Sequence, residues 1–148
     1  MLWQKNNFTI TTDPAKLDIP YIHAWLSERS YWAQEIPVAT VQASITGSVC
    51  FGVYEGERQI GFARVVTDKA TFGYLADVFI DEQYRGQGLS KWMMEVILSH
   101  PELQGFRRWM LATLDAHGLY AQFGFLPLDQ PERIMIKPNP DIYRKKTS

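Results

Sequence analysis

Three consecutive runs rich in β-branched and aromatic residues constrain this chain more than any other feature of its sequence. Val49–Glu55, residues 59–67 and residues 71–80 follow one another with only a few residues between them. The joins, Glu55-Gly56-Glu57-Arg58 and Asp68-Lys69-Ala70, carry turn chemistry. Connections this short favour antiparallel hairpins, so the middle of the chain reads as a meander. The pattern then changes. Gln83-Tyr84-Arg85-Gly86-Gln87-Gly88 is a glycine-bearing turn, and Leu89–Ser99 reads as a helix. Trp92, Met93, Val96 and Ile97 recur there at helical spacing, with Pro101 just beyond. A strand over residues 108–114 completes a strand-helix-strand unit, expected to be parallel and right-handed.

The flanks fit round this centre. Residues 8–12 read as a first strand and residues 18–27 as a helix, capped by Asp18 with Pro20 in its first turn. Ile22, Trp25 and Leu26 share one face of that helix. Residues 30–37 are aromatic and turn-like, and a second helix over residues 37–48 puts Val38, Val41 and Ile45 on one side. A short helix over residues 117–123 is ended by Gly124, and residues 134–136 read as a last short strand. The order β-α-α-β-β-β-α-β-α-β gives an α/β (α+β) chain, read as one domain over residues 1–148.

A chain of 148 residues buries roughly 68–70% of its unfolded surface and needs no staple to fold. Its one cysteine, Cys50, lies in an apolar run and reads as core rather than nucleophile. No Cys/His cluster has metal spacing, so no metal is expected. A net charge near −1 lacks the basic footprint of a nucleic-acid binder, and Arg144-Lys145-Lys146 reads as a solvated tail. With no signal-peptide pattern and no apolar run near 18 residues, a cytoplasmic protein with no membrane association is expected. Aromatic residues, at 14%, exceed what the rest of the composition leads one to expect, as core or as the lining of a pocket.

The turn before the Leu89–Ser99 helix carries the chemistry. Two glycines let the backbone come close to a ligand, and the helix start offers unpaired N–H groups at the positive end of its dipole. Such a site suits phosphate. The dinucleotide fingerprint is absent, because Lys91 stands where its third glycine belongs, and the phosphate-loop pattern Gly-Lys-Ser/Thr is missing too. Residues 78–94 instead resemble the acyl-CoA-binding motif of the GNAT acetyltransferases, Gln/Arg-x-x-Gly-x-Gly/Ala after a central strand, matched by Gln83, Gly86 and Gly88. Leu119-Tyr120-Ala121-Gln122-Phe123-Gly124-Phe125 resembles that family's tyrosine-bearing helix ending in Gly-Phe. The order of elements agrees over nearly the whole chain. Ser90 replaces a common glycine, and Asp115 stands near where many members have Asn.

The resemblance implies a GNAT fold: a mixed, mostly antiparallel central sheet with splayed parallel central strands and helices on both faces. It implies acetyl-CoA as co-substrate, its pyrophosphate held by the backbone of Arg85, Gly86, Gln87, Gly88, Leu89 and Ser90. Arg85 and Lys91 either add charge there or face solvent. The pantetheine arm is expected along Val78, Phe79 and Ile80, which equally read as core. Tyr120 is the expected general acid. Its phenol, ordinarily near pKa 10, stands close enough to a thiol's 8–9 to protonate the departing sulfur. A lysine-like acceptor costs roughly 4–5 kcal/mol to deprotonate at neutral pH, so a base would help. Asp77, in an apolar strand, is the leading candidate; Arg64 lies almost opposite it, and an ion pair between them is the competing reading. Glu35, His117 and a water are the other candidates.

In this family the segment after the first strand builds the acceptor pocket. Here it carries Tyr31, Trp32 and Glu35, an aromatic wall with one carboxylate that suits a small amine with an apolar body, while Trp25 and Trp32 also read as packing on the sheet. Transfer of an acetyl group to a primary amine by direct attack is thus the expected activity. A non-catalytic acyl-CoA-binding sensor is the alternative, and dimers among similar proteins point to a homodimer.

Overall fold

The meander forms as its turns dictate. The computed structural model describes residues 1–144, so Lys145 and Lys146 of the basic run lie outside the described residues. Strands β3 (Val49–Glu55), β4 (Arg58–Thr67) and β5 (Phe72–Ile80) pair antiparallel in succession. The β4–β5 turn is tied by Asp68, whose Oδ1 accepts the N–H groups of Ala70, Thr71 and Phe72 at 2.8–3.3 Å and whose Oδ2 accepts the Thr71 hydroxyl at 2.7 Å. The backbone and hydroxyl of Thr71 lead the donors that hold its carboxyl well below the usual carboxylate range.

Two more strands extend the sheet on one side. β2 (Phe8–Thr11) pairs with β3, and β1 (Leu2–Lys5) pairs with β2. β1 is a strand that the sequence reading omits. The signal for it is Asn6-Asn7 between two apolar stretches, and Asn6 takes the left-handed φ of 55° that a tight hairpin turn needs. On the other side β6 (Arg108–Met110) pairs parallel with β5, giving the order β1-β2-β3-β4-β5-β6. β6 is shorter than the expected run to Leu114, because its ladder with β5 ends at Met110. Residues 134–136 form no strand. Pro131 begins a 3-10 turn before them and Pro138, which has no N–H, follows; Met135 and Ile136 are exposed.

Helices cover both faces. α1 (Ile19–Arg29) is capped by Asp18, whose Oδ1 accepts the Tyr21 N–H at 3.1 Å. With α2 (Val38–Thr46) it buries Ile22, Trp25, Leu26 and Val41 against Cys50, Phe62 and Phe79. α3 (Leu89–Ser99) and α4 (His117–Ala121) bury Trp92, Met93, Ile97 and Tyr120 against Phe51, Val53, Val65 and Leu75 on the opposite face.

Leu75 and Phe79 are an even number of residues apart, yet they serve opposite cores. The ladder explains this: Arg64 pairs with Ala76 but Phe62 pairs with Phe79, so β5 carries one extra residue. Asp77, at φ 54°, lies in this bulge. One extra residue turns every later side chain to the other face.

Phe51 tests the larger core. It is fully buried and meets the His100 ring edge-on at 5.7 Å. Phe51→Ala is expected to lower unfolding free energy by about 3–5 kcal/mol, read as a lower urea midpoint with an unchanged slope.

Candidate active site

The site begins where a ladder stops. β5 and β6 pair only at Phe72–Arg108, Gly73–Trp109 and Tyr74–Met110, although β5 continues to Ile80. Past Tyr74 the strands part, and among the described residues the β6-facing edge of β5 has no neighbouring strand. Tyr31 bridges part of the gap, since the Leu114 N–H donates to its hydroxyl at 2.8 Å. Two cavities of about 640 and 590 Å³ lie along the opening. Tyr31, Trp32, Val78, Asp115, Ala116 and Tyr120 line both, so the cavities meet at these residues. Both are of small-molecule size.

The smaller cavity runs from Val78, Phe79 and Ile80 to the glycine turn, where Arg85, Gly86, Gly88, Leu89 and Ser90 line it. Gly86 and Gly88 take φ values of 82° and 77°, and no atom lies within 4 Å of where a Cβ would stand on either. The backbone there is open to close approach by a ligand, next to the first turn of α3, whose N-cap is Gly88. Buried Asp81 secures the turn: it accepts the Gln83 N–H at 3.1 Å and the Tyr21 hydroxyl at 3.1 Å. Gln87 is exposed and lines neither cavity. Lys91 and Arg29 add positive charge to this wall, Arg29 while paired with Glu82 at 3.2 Å. Trp25 also lines it, and its buried Nε1 has no hydrogen-bond partner among the described residues. A buried donor without a partner is costly, and an acceptor on a bound ligand would satisfy it.

The larger cavity holds Asp77, and the competing ion pair is present. Arg64 Nε donates to Asp77 Oδ2 at 2.6 Å, and Trp32 Nε1 donates to Oδ1 at 2.7 Å. Arg64 also donates to the Ser48 hydroxyl at 3.0 Å. The chain Trp32–Asp77–Arg64–Ser48 ties the loop after α1 to the bulge and to the start of β3. Tyr31 and Trp32 line both cavities. Glu35, at a left-handed φ of 64°, and His117 are exposed and line neither cavity.

Tyr120 projects from α4 to the meeting point. It is only 8% exposed, and its hydroxyl has no hydrogen-bond partner among the described residues. Burial pushes its phenol above the ordinary tyrosine value, with Tyr31 and the Asp115 charge acting in the same direction. Cys50 lies outside both cavities, and burial pushes its thiol up to about 12, so it is not a thiolate at neutral pH. Among the described residues no group of three or more His, Cys, Asp or Glu side chains is placed to hold a metal.

Sequence reasoning missed Arg29, Tyr74, Leu111, Thr113 and Tyr143 as cavity residues. Arg29 was legible as the basic last turn of α1; Tyr143 comes from an irregular segment that no pattern ties to the site. Asp77→Ala is expected to cost about 2–3 kcal/mol, because it strands a largely buried guanidinium. In a urea-denaturation cycle, Asp77→Ala combined with Arg64→Met is expected to cost clearly less than the sum of the two single changes.

Comparison with known proteins places these features in a family. A Xanthomonas campestris protein solved as a member of the GNAT family superposes with a TM-score of 0.92, is 46% identical and matches 96% of this chain and 100% of its own. A Gibberella zeae protein that carries the name acetyltransferase is 32% identical over 142 residues, spanning 81% of this chain and 79% of its own. A GNAT family acetyltransferase from Elizabethkingia anophelis, solved with acetyl-CoA bound, shares the fold at 17% identity, with a TM-score of 0.63 over 84% of this chain and 80% of that one. The acetyltransferase (GNAT) family model matches residues 19–125, from the start of α1 through the glycine turn and Tyr120 to Phe125, and the protein belongs to that family.

Proposed function

We propose that this protein transfers an acetyl group from acetyl-CoA to the primary amine of a small molecule by direct attack, with Tyr120 as the proton donor. The observation that carries the reading is the position of Tyr120: a buried phenol with an unpartnered hydroxyl where two cavities meet beside an open strand edge. One cavity has the features of a donor site and the other has room for an acceptor. The Elizabethkingia anophelis relative with acetyl-CoA bound supports the donor's identity, and an Arabidopsis thaliana glucosamine-6-phosphate N-acetyltransferase of the same fold supports an amine as acceptor.

Each residue then has a role. The N–H groups of Gly86 to Ser90 receive the pyrophosphate at the start of α3, the Arg85 N–H being bonded to the Glu82 carbonyl, and the Arg85 and Lys91 side chains add charge beside it. Val78, Phe79 and Ile80 offer the open edge of β5 to the amide groups of the pantetheine arm, in the manner of an added strand. Trp25 Nε1 gains the acceptor that it lacks. When bound, acetyl-CoA supplies a thioester, whose acyl carbon takes the amine and whose sulfur leaves. Tyr120 donates its hydroxyl hydrogen to that sulfur, and the proton shed by the acylated nitrogen passes through solvent and returns the phenol to its neutral form. Asp77, engaged on both oxygens, suits holding Trp32 and the bulge in place better than serving as base.

A thiol-release screen with acetyl-CoA against small amines, polyamines, amino acids and peptides tests this. Turnover is expected with at least one amine, and Tyr120→Phe is expected to reduce kcat by about 10²–10⁴ with acetyl-CoA affinity unchanged by calorimetry. Tight acetyl-CoA binding without turnover of any acceptor makes the protein a sensor instead. The pH profile gives a second check. The active form of the donor is the protonated phenol, and its pKa is raised. Loss of the donor therefore produces no fall in kcat until the pH passes about 10, the ordinary tyrosine value.

A further inference from the structure

Two carboxylates line the larger cavity, and they differ in what they can still bind. Asp77 has Trp32 on one oxygen at 2.7 Å and Arg64 on the other at 2.6 Å. Asp115 has no hydrogen-bond or ion-pair partner among the described residues. Its backbone is nonetheless held on both sides. The Leu114 N–H donates to the Tyr31 hydroxyl at 2.8 Å, and the Ala116 N–H donates to Thr113 Oγ1 at 3.0 Å. The carboxylate of this exposed residue thus stands on the wall shared by both cavities, on a backbone held at either side, close enough to Tyr120 for its charge to act on that phenol.

The charges of the larger cavity give this position a sign. Arg64 is neutralised by Asp77, which leaves Asp115 as the unbalanced charge among the described residues that line it. Tyr31, Trp32, Tyr74 and Tyr143 supply aromatic surface on the same walls, and Tyr31 and Trp32 are exposed. Aromatic faces beside a lone carboxylate suit a cation with an apolar body.

We propose that Asp115 recognises the acceptor: it receives the ammonium head of a primary alkylamine, and the aromatic walls take its apolar body. The proposal rests on the amine-acetylation reading and narrows it to acceptors that arrive as cations. Asp115 is a binding and specificity residue here, held at the meeting point so that the amine nitrogen comes to rest beside the end of the donor cavity. Once there, the nitrogen loses its extra proton to the water at this exposed rim and attacks as the free amine. Over the whole transfer an alkylammonium and a thioester become an amide and a thiol, with one proton released to solvent.

Isomeric amines test it. Phenethylamine is a cation at neutral pH, whereas its isomer para-ethylaniline is neutral, so the pair varies charge at constant composition; whichever alkylamine the thiol-release screen finds best is run beside them. Asp115→Asn is expected to raise KM for the alkylamine about tenfold, with a smaller change in kcat and in the arylamine's KM. Asp115→Glu is expected to restore much of the loss. Calorimetric titration of the alkylamine into the coenzyme A-bound protein is expected to show the same tenfold weakening without any turnover. Unchanged coenzyme A affinity and urea midpoint show that the variant is folded. If Asp115→Asn leaves alkylamine KM and binding unchanged, or weakens both isomers alike, or if the native protein prefers the arylamine, recognition by Asp115 is wrong while acetylation stands. No turnover of any amine removes the acetylation reading and this proposal with it.

Discussion

A β-strand that loses its neighbour leaves a row of N–H and C=O groups that something else must pair. That constraint organises this protein. The parallel ladder between β5 and β6 lasts three residue pairs, and β5 then runs on with one edge open. An edge of this kind at the surface invites aggregation, but here it is roofed by the loop after α1 and by α4. The Tyr31 hydroxyl accepts one N–H beyond the end of β6, that of Leu114. Everything assigned to the reaction borders that gap: the glycine turn at the end of β5, Tyr120 facing it, and the aromatic loop across it.

The bulge at Asp77 lets one strand serve both ends of the site. Without the extra residue, Leu75 and Phe79 would face the same core. With it, Leu75 packs towards α3 and Phe79 packs towards α1, where it stacks on Trp25 at 4.1 Å and 5°. A left-handed backbone at a non-glycine residue is unfavourable by itself and persists where its surroundings determine it. Arg64 and Trp32 do so here by holding both oxygens of Asp77. The pair is therefore better understood as fixing a backbone shape than as a store of stability, which agrees with the modest net worth of partly buried ion pairs.

The sequence made the centre of the molecule legible and the periphery less so. β3 and α3 begin and end where periodicity and turn residues put them, because hydrophobic pattern and local chemistry agree there. The early end of β6 was not legible, since Arg108 to Leu114 reads as a strand throughout and only the loss of its partner shortens it. Residues 134–136 misled for the related reason that β-propensity does not supply an edge to pair with. At the site, the glycine turn was readable from its residues as a place for phosphate, whereas Tyr120 stood out only through the resemblance to the GNAT family. Glu35 was placed on the acceptor wall because the family resemblance puts that wall in its segment; its backbone takes a left-handed φ of 64°, and it lines neither cavity. Asp115 was visible only as a departure from a family pattern; its value as a free carboxylate emerges once Asp77 is seen to be engaged.

The burial that places Tyr120 also changes what kind of acid it is. In the proposed reaction the phenol meets a thiolate of pKa about 8–9, while its own value lies above the usual 10. Complete proton transfer is then uphill by more than one unit, at least about 1.4 kcal/mol. That is small beside the roughly 16 kcal/mol barrier implied by a typical turnover of about 10 per second. The raised value brings a benefit: the donor keeps its proton as the pH rises towards about 10 and more of the amine becomes free. A phenol with a lowered pKa would be a stronger acid but would be partly ionised as alkaline conditions freed the amine. Because charge builds on sulfur only as its bond to carbon breaks, a hydrogen bond from a neutral, buried phenol strengthens during that change and not before it. Asp115 fits the same scheme, since its charge disfavours phenolate at Tyr120 while offering a cationic acceptor a place to bind.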